Sequence, residues 1–254
     1  AVTNAARIYE FPLGVFGISI ATAIFPQLAR QSNDPSAFAA TVRRGLRLTL
    51  FIGLPASVGL MLVAREAVGV LFQRGAFDAG DTTRVAWVLL GFAPAIWAYQ
   101  SIHIFTRAFY AMKKPMTPVK IAVAMVALNF ALNIALIFTP LREAGLAWAT
   151  SICAILQAFI LARALAGEVR GIVDREVLAS FARSVGAALA MGAAVFATSF
   201  IVPCGDSTVA MATALVAKVA VGAITFCAAA IVLRMPELGW ALGRKLPFLR
   251  SSAH

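Results

Sequence analysis

Long apolar runs, separated by short polar segments, follow one another along almost the whole chain. A helix needs about 20 residues to cross a hydrocarbon layer about 30 Å thick. Seven runs approach or exceed that length, the last interrupted only by Lys218. They are Phe11–Ala29, Leu48–Ala64, Val85–Thr106, Ile121–Leu141, Ala144–Ala162, Ser184–Gly205 and Ser207–Leu233. Because lipid offers no partner to an open backbone, each run is expected to be helical. The pattern therefore predicts an all-α, polytopic helical membrane protein with seven transmembrane helices.

The composition also indicates a membrane protein, since 61% of the residues are hydrophobic and only 13% are charged. A soluble domain has about 45–50% apolar and about 25% charged residues, so a soluble or disordered chain is excluded. The three cysteines are too few and too scattered for a disulfide framework or a zinc site. The sequence also has no Ser/His/Asp set, glycine-rich phosphate loop or metal-ligand spacing. We therefore predict that the protein is not an enzyme and has no resident metal or organic cofactor.

The basic residues indicate how the spans are oriented. Sixteen of the 22 lysines and arginines lie in the loops after spans one, three, five and seven, and four lie in the alternate loops. This bias predicts that those basic loops and the C-terminus face the cytoplasm. Confined to short loops, the basic residues form no face for nucleic acid, which is not an expected partner. The N-terminal end then faces outside, so we expect that an odd number of preceding spans belongs to the same protein.

Prolines and amphipathic segments predict departures from straight helices. Each of four prolines within the runs removes a backbone donor, so kinks are expected at Pro12, Pro26, Pro55 and Pro94. The long polar-apolar loop Glu66–Asp81 fits a short helix on the outer surface. The tail Pro236–Phe248 fits either a helix lying among lipid headgroups or a frayed polar end.

The polar group most suggestive of function is Arg7 with Glu10, close to Asn4 and at the start of the first run. Residues three apart share a helix face, and the planar arginine fork matches phosphate geometry. Two interpretations are open. The pair lines a water-filled cavity, because charges within a membrane tend to face wet interiors, or it is an exposed ion pair at the outer interface.

Two further polar positions lie inside apolar runs. Lys218 either lines a groove for an anionic lipid or extends its ammonium along its stem towards the interface. Asn129 and Asn133, four residues apart on the fourth span, either join helices through amide hydrogen bonds or offer oxygen atoms to a monovalent cation.

Four blocks of the sequence resemble a known family. They are Asn4–Arg30 (NAARIYEFPLGVFGISIATAIFPQLAR), Leu71–Asp81 (LFQRGAFDAGD), Phe105–Lys120 (FTRAFYAMKKPMTPVK) and Ala144–Leu146 (AGL). Their residues, order and spacing resemble the MurJ (MviN) family of bacterial lipid II flippases, in the multidrug, oligosaccharidyl-lipid and polysaccharide exporter superfamily. The resemblance runs through the whole chain and weakens after about Arg163.

The resemblance implies an architecture of fourteen spans, of which this chain would hold spans eight to fourteen. Residues 1–166 would be most of the C-terminal transporter lobe, with five spans. Residues 167–235 would be two additional transmembrane helices, roughly Ser180–Pro203 and Ser207–Leu233. Residues 236–254 would be a cytoplasmic amphipathic tail. The missing N-terminal lobe of the same protein would be a partner, and the location would be the bacterial inner membrane.

The resemblance also implies a function: translocation of undecaprenyl-diphosphate-linked peptidoglycan precursor (lipid II) from the inner to the outer leaflet by alternating access. It places the family's functional Arg-x-x-Glu pair on Arg7 and Glu10, with Asn4 nearby, and puts Lys218 near a groove for the lipid tail. Some members bind sodium with an acidic group where this chain has Asn133. Because that acidic group is absent here, two driving forces stay open, a monovalent cation and the membrane potential. The alternatives are a flippase for another polyprenyl-diphosphate-linked polysaccharide, a multidrug exporter, and a non-transporting membrane scaffold.

Overall fold

The computed structural model describes residues 1–73, 77–141, 143–202, 205 and 207–241, with the backbone alone at residues 11, 12, 15 and 16. Throughout these ranges the regular structure is helical. The helices are α1 Val2–Pro12, a π-helical turn Leu13–Ile18, α2 Ser19–Arg30, α3 Pro35–Leu62, α4 Ala64–Phe72, α5 Ala79–Phe92, α6 Ala95–Ala111, α7 Met116–Ile137, α8 Glu143–Glu168, α9 Arg175–Ile201, α10 Thr208–Val232 and α11 Pro236–Ala241. The predicted all-α class is confirmed.

Six helical stretches are long and apolar enough to cross a membrane: α3, α5 with α6, α7, α8, α9 and α10. They cover most of six of the seven predicted runs. The remaining run, Phe11–Ala29, falls within the continuous helical stretch of α1, the π-helical turn and α2. The chain is therefore a polytopic helical membrane protein, as the apolar pattern predicts.

Several helices begin earlier than the apolar runs because polar side chains cap them. Asp34 Oδ1 accepts hydrogen bonds from the backbone N–H groups of Ser36 at 3.0 Å and Ala37 at 3.1 Å, which starts α3 well before the run at Leu48. The Ala37 N–H and the Ser36 hydroxyl hold the pKa of Asp34 below its usual value, since both stabilise the charged carboxylate.

The prolines predicted to disturb helices act in two ways. Pro12 is the last residue of α1 and the π-helical turn follows it, while Pro94 lies between α5 and α6. Both positions interrupt the regular helix, as the lost backbone donor predicts. Pro26 and Pro55 instead lie inside α2 and α3, which continue through them.

The core of the bundle forms where α3 meets α6 and α9, and where α8 meets α5 and α6. Large buried side chains from α2, α3, α6 and α8, including Leu28, Phe38, Phe109 and Leu161, fill this region. Helices α9 and α10 pack on each other, α9 against α3 and α10 against α4. Pro118 is the one buried residue of α7, which packs mainly on α8. Its apolar face is therefore available to lipid or to another part of the protein.

The two segments expected at the surface are more enclosed than predicted. The predicted interfacial helix forms as α4, but it packs between α5 and α10, with Glu66 and Val68 buried. A Cβ at Gly69 would lie 2.0 Å from Met211 Sδ, so the absence of a side chain permits this close approach to α10. The tail forms α11, whose Glu237 and Leu238 are buried; residues 242–254 lie outside the described ranges.

Candidate functional site

Helix α1 presents a polar stripe formed by Thr3, Arg7 and Glu10, all exposed. The opposite face packs inward: Ala5 is fully buried, and the Tyr9 ring stacks on Phe92 of α5 with centroids 4.7 Å apart. Helical periodicity thus separates the predicted arginine and glutamate from the face that anchors the helix. Asn4 is half-buried beside the stripe.

Arg7 and Glu10 share an exposed face, which is compatible with both interpretations of the pair, but they are not in contact with each other. Neither side chain makes a hydrogen bond or ion pair with any other residue that the structure describes. The physical reason is their exposure, because pairing two solvated side chains gains little and restricts both. The guanidinium and the carboxylate are therefore separately available, and Arg7 presents all its donors to whatever lies over the stripe.

A second feature is an apolar groove of about 440 Å³ between α2, α3, α10 and α11. Its walls include Ile20 of α2, Phe51 and Pro55 of α3, Phe226 of α10 and Trp240 of α11. The Phe51 and Phe226 rings meet with centroids 5.0 Å apart. Such a surface accepts hydrocarbon rather than a charged group.

Charged residues hold α11 across one end of this groove. Arg47 of α3 donates from Nε to Glu237 Oε1 at 2.7 Å and from Nη1 to Glu176 Oε2 at 2.9 Å. The Ser180 hydroxyl also donates to Glu237 Oε1, at 2.7 Å. The sequence indicated no partner for Arg47. The acidic residue in the predicted tail, Glu237, was the available signal for one.

The Trp240 ring completes this contact. The guanidinium carbons of Arg44 and Arg47 each lie 5.1 Å from its centroid, within cation–π range. Next to them, Arg43 donates to the carbonyl of Gly171 at 2.6 Å and pairs with Asp174 at 3.3 Å. The three arginines of α3 thus contact the start of α9 and the segment before it, as well as α11.

Lys218 lies inside the bundle, where α10 faces α4. It does not line the apolar groove, and its ammonium does not reach the surface. Instead Lys218 Nζ donates to Glu66 Oε1 of α4 at 2.5 Å, and both side chains are buried. Sequence reasoning missed Glu66 because it was assigned to a surface loop 152 positions away; an acidic residue beside an apolar run was the available signal.

Asn129 and Asn133 lie together on α7, where Asn133 Nδ2 donates to Asn129 Oδ1 at 3.0 Å. Asn133 Oδ1 is buried and has no hydrogen-bond partner within the described part of the chain. The pair offers a cation one unoccupied amide oxygen and no carboxylate, which is a weak donor set for Na⁺.

The chain matches the family model described as Lipid II flippase MurJ over residues 1–233, which includes α1 to α10. The chain belongs to the MurJ family. The match ends before α11, so Glu237 and Trp240 lie beyond it.

Curated relatives agree with the family match. The chain is 37% identical over 161 residues to a probable lipid II flippase MurJ of Vibrio cholerae. The aligned residues cover 63% of this chain and 30% of the relative. It is 34% identical over 198 residues to a probable lipid II flippase MurJ of Haemophilus influenzae, and these residues cover 75% of this chain and 38% of the relative. The chain spans about a third of the length of the curated relatives it matches.

A solved structure described as lipid II flippase MurJ in an inward closed conformation has the same fold, with a TM-score of 0.76 at 22% identity. The similarity covers 94% of this chain and 47% of that one. The MurJ fold thus accounts for nearly the whole described bundle.

Proposed function

We propose that this chain forms most of the second lobe, and the two additional helices, of a flippase that moves lipid II from the inner to the outer leaflet. In this assignment its spans correspond to spans eight to fourteen of the whole protein. The observation that carries the proposal is the exposed Arg7 and Glu10 on the packed helix α1, within a chain that matches MurJ. Transport rather than catalysis is the activity that such a site supports.

The diphosphate of the cargo is the group that Arg7 would bind. A diphosphate cannot enter hydrocarbon without replacing its hydration, and an arginine fork supplies parallel, charge-assisted hydrogen bonds. Asn4 lies one turn earlier beside the stripe and would add an amide donor. Glu10 is close enough in the helix to compete for Arg7 when the cargo leaves, which favours release.

The prenyl tail is too apolar for that stripe and would occupy the apolar groove. The groove is lined by α10 and α11 on one side and by α2 and α3 on the other, so the tail would remain beside the bundle while the headgroup moves through the protein. Lys218 lies outside this groove.

Alternating access moves one part of the bundle against another, and the segment between α1 and α2 offers a point of bending. The π-helical turn Leu13–Ile18 directly follows the arginine and glutamate, where the helix hydrogen bonding changes register. A change of helix direction there would move α2 relative to Arg7 without breaking the contact between Tyr9 and Phe92.

The orientation in this proposal places the connections α2–α3, α6–α7 and α8–α9, with α11, on the cytoplasmic side of the inner membrane. The membrane potential is the proposed driving force, because Asn129 and Asn133 form a poor cation site. A potential of 100 mV changes the free energy of each charge crossing it by about 2.3 kcal/mol.

The test uses the full-length protein in cells depleted of their own flippase. Arg7→Ala and Arg7→Lys are expected to lose growth support and to accumulate lipid II in the inner leaflet, because neither retains the planar fork. Arg84→Ala is the matched control, since Arg84 is an exposed arginine paired with Glu143. Normal growth of Arg7→Ala cells, at equal protein levels in the membrane, would contradict the proposal and favour a scaffold. Accumulation of a different lipid-linked saccharide would identify another cargo.

A further inference from the structure

Arg44 differs from the two arginines beside it on α3 in having no acidic partner. Arg43 pairs with Asp174, and Arg47 pairs with carboxylates of α9 and α11. Arg44 is exposed and makes no hydrogen bond or ion pair with any other residue that the structure describes. Its contact is with the Trp240 ring, whose centroid lies 5.1 Å from the guanidinium carbon. A ring face attracts the cation without accepting a conventional hydrogen bond, so the N–H donors of Arg44 remain available to an anion.

Arg44 lies at one end of the α3 wall of the apolar groove. Leu48, Phe51, Ile52 and Pro55 line the groove, and helical periodicity puts them on the same side of α3 as Arg44. One face of α3 therefore leads from an exposed cation directly into apolar side chains. The eleven residues from Arg44 to Pro55 rise about 16 Å along the helix. This is about half of a hydrocarbon layer about 30 Å thick, so the wall fits a lipid in one leaflet.

Trp240 joins the charged and the apolar part of this surface. Its ring lines the groove and also lies beneath the Arg44 guanidinium. The buried contact of Arg47 with Glu237 fixes α11, and with it the position of the ring. Tryptophan is typical of the level at which headgroups meet acyl chains, because its ring is apolar and its N–H is polar. The arrangement thus matches an amphiphile whose charged end lies at Arg44 and whose tail lies in the groove.

We propose that Arg44 binds the diphosphate of the lipid cargo as it arrives from the cytoplasmic leaflet, while the prenyl tail enters the groove. The inference rests on the proposed function, which places the α2–α3 connection and α11 on the cytoplasmic side, and it adds the first contact of the headgroup. The guanidinium fork matches two phosphate oxygens. Because Arg44 is exposed, the diphosphate keeps much of its hydration there, and this first step costs less than entry into the protein.

Binding at two points explains how such a surface selects its ligand. The groove alone accepts any apolar chain, and an exposed arginine alone accepts any anion. A molecule that carries both parts binds the second point at a high effective concentration once the first is bound. An ordinary anionic phospholipid shares the phosphate, but its phosphodiester carries one negative charge, whereas a diphosphate carries more and gains more from the guanidinium. The surface therefore favours a polyprenyl diphosphate, which Arg7 receives after the tail is held.

The experiment measures lipid binding to the purified full-length protein by native mass spectrometry in detergent. All variants carry Arg7→Ala, which removes the contribution of the stripe on α1. Adding Arg44→Gln is expected to weaken undecaprenyl diphosphate binding about ten-fold, the size expected from losing one charge-assisted hydrogen bond. Binding of undecaprenol, which has the tail without the diphosphate, is expected to stay unchanged. Arg163→Gln is the matched control, because Arg163 is an exposed arginine of α8, and α8 does not line the groove.

Three results would overturn the proposal. The first is unchanged undecaprenyl diphosphate binding on adding Arg44→Gln, an equal loss on adding Arg163→Gln, or no binding to the Arg7→Ala protein at all. The second is an equal loss of undecaprenol, which would mean that Arg44 only holds Trp240 against the groove. The third is at least as large a loss of phosphatidylglycerol, which would make an ordinary phospholipid the ligand. Thermal unfolding verifies that each variant is folded.

Failure of this inference is distinguishable from failure of the proposed function. The proposed function fails if Arg7→Ala cells grow normally, a result that does not involve Arg44. The inference fails on the binding data for Arg44→Gln, whatever the growth of Arg7→Ala cells.

Discussion

Arg47 and Glu237 are 190 positions apart, yet Arg47 Nε donates to Glu237 Oε1 at 2.7 Å and the glutamate side chain is 1% exposed. Through this pair α3 holds α11, the last described helix, over one end of the apolar groove. Ser180 of α9 donates to the same carboxylate. Three helices that are distant in sequence are therefore joined at one buried oxygen atom.

Loss of the Arg47 guanidinium should release α11. Arg47→Gln leaves the Glu237 carboxylate buried with one hydroxyl partner, which costs about 3–5 kcal/mol for a fully buried pair. We expect a lower Tm in detergent and faster proteolysis at Arg234, which is exposed just before α11. Arg44→Gln is the control, since Arg44 is exposed and contacts α11 only through the Trp240 ring.

The double variant Arg47→Gln/Glu237→Gln should recover part of the lost Tm, because no buried charge then remains unpaired. Equal proteolysis at Arg234 in Arg47→Gln and Arg44→Gln would show that the buried pair does not hold α11.

The crossing of α3 and α6 depends on Gly53. A Cβ at this position would lie 2.7 Å from Gln100 Oε1 and 2.9 Å from the Cα of Trp97, so the backbone itself would have to move. Gly53→Ala should therefore destabilise the protein by about 1–3 kcal/mol. Gly167→Ala is the matched control in α8, where nothing lies within 4 Å of the added carbon, and helix propensity predicts a gain of about 0.5–1 kcal/mol.

The Tm of each full-length variant in detergent tests this difference. Similar Tm shifts for Gly53→Ala and Gly167→Ala would contradict the prediction, because they would show that α3 and α6 can move apart at their crossing without a large loss of stability.

The orientation of the bundle can be measured by labelling single cysteines in intact cells, after the native cysteines, including the three of this chain, are replaced by alanine. Asn33 lies exposed between α2 and α3, and Thr208 lies exposed at the start of α10. The positive-inside bias predicts that a membrane-impermeant thiol reagent modifies Thr208→Cys and not Asn33→Cys. Disruption of the membrane should expose both positions and serves as the control for reactivity. The reverse pattern would place the arginine-rich connections outside the cell.

Much of the fold follows from residues that are close in sequence. The apolar runs predicted the long helices, Pro12 and Pro94 predicted two interruptions, and the spacing of Arg7 and Glu10 predicted their shared helix face. These features arise locally, because the need to satisfy backbone hydrogen bonds in lipid acts on each segment separately.

The paired charges could not be predicted in the same way. Glu66 with Lys218, and Arg47 with Glu237, depend on which helix faces meet, as does the approach of Gly53 to Gln100. The same apolar runs are compatible with many arrangements of neighbours, since any lipid-facing side chain would be equally apolar. Which polar groups meet inside the bundle is therefore a property of its packing, where steric fit between distant helices and the cost of an unpaired buried charge select the arrangement.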